Sequence, residues 1–322
     1  MSTPGVHFVI VSYNTRALLG DLLDYFDRAS LPFPFTVTVV DNASADGSPD
    51  VVRDHPRATL VANDRNTGYG AAVNAGFRQS DAAYVCVLNT DVVLTDGALA
   101  ACHAFLEGRP DASGVSPVVR WPDGRLQTFW IGFGFGILGL DLLRKLSNMR
   151  MRRRLRRSRK PVRTDGVKGA FLFLRSAPFR TSKAIFDEDY FFYFEDTDLA
   201  LRMRRAGLKT YILTRIDIVH LGGQSPSSLK TELFLRNRHR FFHKNLKGWN
   251  RWLALAWERY RVYRKILYYG TAALFTKSDR IAMKLGTYRT ELRIARECRD
   301  LYRGHPIPSG FAAESTKEGH DG

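Results

Sequence analysis

HFVIVSYNTRALLGDLLDYFDRASLPFPFTVTVVDN, residues 7–42, is the stretch that decides the fold. His7–Ser12 is a short, β-branched apolar run, the pattern of a strand buried on both faces. Thr15–Ala29 then sets Leu18, Leu19, Leu22, Leu23 and Phe26 at helical spacing. Phe35–Val40 is a second apolar run, closed by Asp41. Further on, Asp50–His55 is weakly helical, Ala58–Ala62 reads as a strand and Gly70–Gln79 as a helix. Ala83–Leu88 is a fourth strand, ending at Asn89-Thr90-Asp91, and Gly97–Glu107 is helical again. This alternation predicts an α/β fold with a doubly wound, mostly parallel sheet. Ligands of such sheets sit at the carboxyl ends of the strands. Polar residues gather there: Ser12-Tyr13-Asn14, Asp41-Asn42 and Asn89-Thr90-Asp91.

Beyond this core the pattern changes. Ser116–Asp165 is poor in strand pattern and holds a Gly-aromatic run, Phe129–Leu140 (FWIGFGFGILGL), then a basic run, Arg144–Lys160, with ten Lys or Arg and no acid. Gly166–Leu174 reads as a strand and Phe186–Arg205 as an acidic-aromatic loop leading into a helix from about Thr197. Tyr211–His220 reads as a strand, and the chain is helical and basic from Lys230 to about Arg303. The expected organisation is a catalytic domain over 1–228 with an insertion at about 125–163, a helical region over 229–303 and a flexible tail over 304–322.

With 322 residues, 44% of them hydrophobic, the chain can bury one large domain and an appendage. Cys86, Cys102 and Cys298 have no paired spacing, which argues against a disulfide framework or zinc cluster and fits a reducing, cytoplasmic setting. Met1–Gly5 lacks the basic and apolar segments of a signal peptide, and no run reaches the ~20 apolar residues that span a bilayer. The net charge of +17 admits nucleic acid, an anionic membrane or an anionic substrate as partner. No zinc-finger spacing or RNA-binding aromatic signature accompanies it, so no nucleic-acid partner is expected. From Trp249 to Tyr269, aromatic and aliphatic residues interleave with Arg and Lys, as in interfacial helices; the alternative is packing on protein.

Asp91 at a strand end can hold Mg²⁺ or Mn²⁺, or merely cap the next helix. Asp41 can meet a nucleobase or ribose, or close a polar turn. The stretch from Asn66 through Gly68 to Asn74 and Gly76 joins a glycine turn to a helix start, where N–H groups suit a phosphate. Phe186–Arg202 (FDEDYFFYFEDTDLALR) surrounds Glu195, Asp196 and Asp198 with aromatics, a setting for a general base. His220 ends a strand and suits a metal or phosphate.

Seven stretches in order resemble family 2 glycosyltransferases of GT-A fold, rhamnosyltransferase-like members in particular. They are VIVSYN (9–14), VVDNASADGS (39–48), NTGYGAAVNAGF (66–77), LNTDV (88–92), KGAFLFLR (168–175), FFYFEDTDLALRMRRAG (191–207) and VHLGGQS (219–225). The resemblance spans roughly Val6–Leu246. It implies an inverting transfer of a sugar from a nucleotide diphosphate donor, dTDP-rhamnose first and UDP-sugars next, to a hydroxyl of a lipid-linked or cell-envelope glycan. Asp41 resembles the nucleoside-binding carboxylate, and Asp91 the last acid of a metal-binding Asp-X-Asp motif whose first position is here Asn89. Asp196 resembles the general base with Glu195 beside it, and His220 a histidine that completes the metal site. Ser12, Tyr13, Asn14, Asn66, Gly68, Asn74 and Asn89 are the further donor-binding candidates. The cofactor implied is Mg²⁺ or Mn²⁺; an anionic membrane surface and an oligomer partner are also expected. Rival readings are a nucleotidyltransferase on a similar sheet, a basic nucleic-acid-binding protein and a catalytically silent scaffold.

Overall fold

A computed structural model describes residues 5–133, 141–222, 227–276 and 278–301. They form two compact units. The first runs to Gly132 and includes Asn148–Phe191 and Glu195–Gln224. The second comprises Phe133–Ser147, Phe192–Phe194 and the chain from Ser225 onward.

In the first unit, β1 (Val6–Ser12), β2 (Phe35–Asp41), β3 (Ala58–Ala62) and β4 (Tyr84–Asn89) run parallel in the order β3-β2-β1-β4. Their connections are α1 (Arg16–Arg28), α2 (Ser48–Arg53) and α3 (Tyr69–Phe77). Phe8, Val9, Ile10, Val39, Val40, Val87 and Leu88 are fully buried, because helices cover the strands. α1 buries Leu19, Leu22, Leu23 and Phe26, the stripe its spacing predicts. After β4 come the edge strand β5 (Val92–Val93), α4 (Asp96–Glu107) and β6 (Ala112–Arg120). The sheet continues through β10 (Phe171–Arg175), antiparallel between β4 and β6, to β11 (Lys209–His220), which is parallel to β6 and paired with β5. β7 (Trp130–Ile131) and β9 (Gly166–Val167) form a small second sheet, β8 (Val162–Thr164) pairs β11, and α6 spans Glu195–Arg205. Ser12 stands level with Asp41 and Val11 with Asn89, so three parallel strands end in one row.

The structure departs from the sequence pattern in four places. β6 begins at Ala112 and continues through the stretch expected to lack strand. Pro117 has no N–H for a ladder, and the β6–β11 register shifts just beyond it, between Leu213 and Asp217. The basic run is helical: α5 spans Asp141–Arg157, and Arg152 donates to Leu126 O and Thr128 Oγ1. The single strand expected over Gly166–Leu174 divides into β9 and β10 around the turn Lys168-Gly169-Ala170. α6 starts at Glu195 rather than Thr197, which brings Glu195, Asp196 and Asp198 into its first turn. Residues 134–140 of the Gly-aromatic run and the tail over 304–322 lie outside the described residues.

The second unit is built on α7 (Ser227–Asn245), α8 (Gly248–Phe275) and α9 (Asp279–Leu301). Leu235, Ile294 and Cys298 form its buried core. Glu258 is buried with Arg238 at 2.7 Å and Arg261 at 3.1 Å, and Arg261 also reaches Glu291 at 2.7 Å. A buried acid needs such partners to be tolerated. Among the described residues no helix is long and apolar enough to cross a membrane.

Gly76 on α3 sits so close to the sheet that a Cβ would fall 2.5 Å from Val9 Cγ1 and 3.0 Å from Val40 Cγ2. A Cβ on Gly20 of α1 would meet nothing within 4 Å. Gly76→Ala should therefore cost about 1–3 kcal/mol in a denaturant melt, while Gly20→Ala is neutral or stabilising. Equal stability of the two variants would contradict this packing.

Candidate active site

The row of strand ends is closed by loops that lock onto each other. Asp41 is buried; its Oδ2 accepts from Ser44 N at 2.8 Å and its Oδ1 from Ser44 Oγ at 2.6 Å. Asn14 donates its N–H to Ser44 Oγ and accepts from Ala45 N, both at 2.8 Å. These turns hold Asn14 at φ 52° and Ala43 at φ 61°, left-handed conformations that are costly for Ala. Ser12 is fully buried and faces Thr15 Oγ1 at 3.2 Å, whereas the Tyr13 ring is half exposed. Asn42 joins the next loop, accepting from Asn63 Nδ2 at 2.8 Å and Thr67 Oγ1 at 3.1 Å.

The helix start expected to cradle a phosphate is used by the protein itself. Gly68 N donates to Asn66 Oδ1 at 3.0 Å and Tyr69 N to Phe191 O at 2.8 Å. Gly68 is required there by its φ of 88° and because a Cβ would fall 2.4 Å from Phe191 O. Asn74 is also turned inward. Its Nδ2 donates to Phe186 O at 2.9 Å and Glu188 Oε1 at 3.0 Å, and its Oδ1 accepts from Ile185 N at 2.8 Å and Phe186 N at 3.0 Å. The structure thus gives Asn66, Gly68 and Asn74 a part in bracing loops, through Asn66 Oδ1, the Gly68 N–H and the whole Asn74 amide.

Past β4, Asp91 does not cap α4; Thr95 does, accepting from Ala98 N at 3.2 Å. Asp91 instead faces His220 at the end of β11, with Oδ1 3.1 Å from His220 Nε2, and accepts from Gly222 N at 3.0 Å. Burial pushes the Asp91 carboxyl up, but His220 and the backbone N–H groups outweigh it and hold it below its ordinary value. Gln127 fixes the histidine. Its Nε2 donates to His220 O at 2.7 Å, a carbonyl that only accepts, so its Oε1 faces His220 Nδ1 at 3.0 Å. The proton of the neutral ring therefore sits on Nδ1, and the Nε2 lone pair faces a carboxylate oxygen. Two acceptors this close need a cation between them, a proton or a metal ion. Ligands set at right angles on an octahedral Mg²⁺ or Mn²⁺, about 2.1 Å from it, lie about 3 Å apart, so the donor set fits such an ion. Among the described residues no group of three or more His, Cys, Asp or Glu encloses a metal.

The acid pair opens α6. Glu195 is buried, and its Oε2 has no hydrogen-bond partner among the described residues. Burial, reinforced by the Asp196 charge, pushes its carboxyl well above the ordinary range. Asp196 is half-buried and accepts from Thr197 Oγ1 at 3.0 Å. Burial raises it too, while the Lys168 ammonium, Thr197 and the Gly169 N–H pull it back part of the way. Asp198 is no candidate for proton transfer, since it is fully buried against Arg202 at 2.8 Å. Tyr69 links the two ends of the site. Its hydroxyl donates to Gly169 O at 2.6 Å, and its phenol is pushed up by burial and by the charges of Glu195, Asp196 and Asp91. Just before Glu195, Tyr193 and Phe194 are held at φ 71° and 73°, strain of the kind that gathers at functional sites.

Asp91 and His220 thus form one pair past the ends of β4 and β11, Glu195 and Asp196 open α6 beside the turn that takes the Tyr69 hydroxyl, and Ser12, Tyr13, Asn14, Asp41 and Asn89 fall on one row of strand ends. Sequence reasoning assigned no role to Lys168, Gly169, Tyr69 or Gln127. The first three lie in the stretches KGAFLFLR and NTGYGAAVNAGF, which was the one signal for them.

The sequence profile of Glycosyl transferase family 2 matches residues 7–178. The chain is 30% identical over 236 residues to the N-acetylglucosaminyl-diphospho-decaprenol L-rhamnosyltransferase of Mycobacterium tuberculosis, covering 64% of this chain and 76% of that one. Its fold is similar to that of the mannosyltransferase PcManGT from Pyrobaculum calidifontis in complex with GDP-Man and Mn²⁺, with TM-score 0.57 and 18% identity over 95% of this chain and 89% of the other. It is also similar to GalNAc-T7 with UDP, GalNAc and Mn²⁺, with TM-score 0.55 and 12% identity over 94% of this chain and 58% of the other. On its sequence and its α/β GT-A fold, the chain belongs to glycosyl transferase family 2 and is a glycosyltransferase.

Proposed function

We propose that the chain is an inverting, metal-dependent enzyme that moves a sugar from a nucleotide diphosphate to a hydroxyl of a lipid-linked acceptor. Rhamnose from dTDP-rhamnose is the first candidate donor, and UDP-sugars come next. The observation that carries this reading is that Asp91 and His220, far apart in sequence, meet at 3.1 Å just past the β4 strand end, whose Asn89 N is bonded to Ala170 of the turn that lies against Asp196. It is supported by the activity that names the mycobacterial relative, a rhamnosyl transfer onto a sugar-diphospho-decaprenol, and by the nucleotides and Mn²⁺ held by the two similar structures.

The acceptor hydroxyl is a weak nucleophile until its proton has somewhere to go. Asp196 takes that proton. Burial and the Asp196 charge push the Glu195 carboxyl up, so of the two it keeps its proton more readily and leaves Asp196 as the acceptor. One base without a second ionised carboxylate suits a single in-line displacement, which inverts the anomeric carbon. Asp91 and His220 would hold the divalent ion, whose chemistry is to neutralise charge growing on the departing diphosphate. Tyr13, Asn14 and Asn89 line the nucleoside end. Asp41, closed on Ser44, shapes that loop and offers the nucleoside at most its remaining lone pairs. A lipid-linked acceptor also demands contact with a bilayer, so the enzyme works at the cytoplasmic face of the membrane, with residues 229–303 as a separate helical region.

Asp196→Asn should lower kcat by about 10²–10⁴-fold and leave nucleotide affinity nearly unchanged. Wild-type turnover in that variant would remove Asp196 as the base. Transfer needs ionised Asp196, so the rate should rise with pH through its titration. Lys168 lowers that pKa, so Lys168→Met should move the acid limb of kcat to higher pH, and a limb that stays put would contradict the coupling. Gln127→Leu frees the His220 ring and should weaken Mn²⁺ binding about 10–100-fold by calorimetry in the presence of nucleoside diphosphate. Unchanged Mn²⁺ affinity in both Gln127→Leu and Asp91→Asn would exclude the metal site.

A further inference from the structure

α8 is about 42 Å long and two-faced over the part that packs, Ala254 to Val262. Ala254, Glu258 and Val262 are buried within the helical unit. On the opposite side, Trp249, Trp252, Tyr260, Tyr263, Leu267 and Leu274 follow one another at intervals of three, four or seven residues with one step of eight, and so share one stripe. They are exposed, Trp249 and Leu267 at 69% and Leu274 at 81%. Trp249 and Trp252 stack at 4.5 Å, a preformed apolar ledge at the helix start. A row of large apolar side chains this long in water calls for something to cover it.

We infer that this face of α8 rests on an anionic lipid bilayer, an inference that builds on the lipid-linked acceptor proposed above. Charge selects this occupant. Glu258 is the single acid between Gly248 and Phe275, and it is buried against Arg238 and Arg261. The stripe itself carries no acid, and Arg259 and Arg264 flank it on its two sides. A second copy of a chain of net charge +17 would bring like charges together, whereas an anionic leaflet attracts them. Composition agrees: Trp and Tyr, with an apolar body and a polar edge, favour the level of the lipid headgroups. A helix with one packed and one aromatic face lies in the plane of the interface and does not cross it.

The full chain, mixed with vesicles of phosphatidylcholine alone and of phosphatidylcholine with phosphatidylglycerol, should sediment with the second at low salt and less at high salt. The triple variant W249S/W252S/L267S should partition at least about tenfold more weakly and keep its melting temperature, since these side chains are exposed. Lipids brominated in their chains should quench tryptophan fluorescence in the wild type and much less in the variant. Hydrolysis of the nucleotide-sugar donor in solution should be equal in both proteins, which separates the surface from the chemistry. Vesicle binding by the wild type without any sugar transfer would fault the acceptor reading and leave this face standing. The inference is overturned by equal binding of variant and wild type, by equal binding to neutral and anionic vesicles, or by a wild-type dimer that the triple variant turns into a monomer.

Discussion

The acid site depends on one short turn, Lys168-Gly169-Ala170, between two strands that the sequence would have run together. Gly169 accepts from the Tyr69 hydroxyl and gives its own N–H to Asp196; Ala170 accepts from Asn89 N at 3.1 Å; Lys168 supplies the nearest positive charge to Asp196. Strand β4, helix α3 and helix α6 are thus all referred to the same three residues. Space is tight at the glycine: a Cβ there would fall 3.1 Å from Tyr69 Cε1, so the ring would have to shift. With Asp196 fixed against this turn, the remaining polar groups acquire their positions relative to it.

Opposite environments divide the labour among the carboxylates. Asp91 keeps hydrogen-bond donors around it and stays charged, as a cation site requires. Glu195 is buried with its Oε2 unpartnered among the described residues and is pushed well up, while Asp196 lies between, raised by burial and pulled part of the way back. These differences come from a few neighbours each: the His220 ring and the Gly222 N–H for Asp91, and Lys168, Gly169 and Thr197 for Asp196. Among the strained residues, Tyr193 and Phe194 directly precede Glu195, and Asn14 and Ala43 lie in the loops that follow β1 and β2, so the backbone absorbs conformational cost beside the candidate side chains.

Much of the first unit was legible in its sequence because its strands are continuous apolar runs and its helices show a 3.6-residue stripe. β1 to β4 and α1 fall within a residue or two of where the pattern puts them. β6 was hidden because Gly114, Ser116 and Pro117 break the apolar run, and its burial comes from long-range pairing with β10 and β11. Asp91, Asp196 and His220 were readable from motif order, but the partners that set their chemistry were not. Gln127 and His220 are 93 residues apart, and no local pattern announces such a pair. Asn74 shows the converse: a polar residue in the helix after a glycine-rich turn reads as a ligand, yet its whole amide is consumed within the protein.

Asn74 has a consequence for how such a chain records selection. Its amide gives two hydrogens and takes two, which no isosteric acid reproduces, since aspartate would offer oxygen where Phe186 O and Glu188 already present oxygen. Intolerance to change and participation in chemistry come apart at such a position. A map of mutational sensitivity would mark it as strongly as any proton acceptor, although its contacts are all architectural. Sorting the two kinds of residue requires asking where each polar atom spends its bonds, which is a question of stereochemistry and not of frequency.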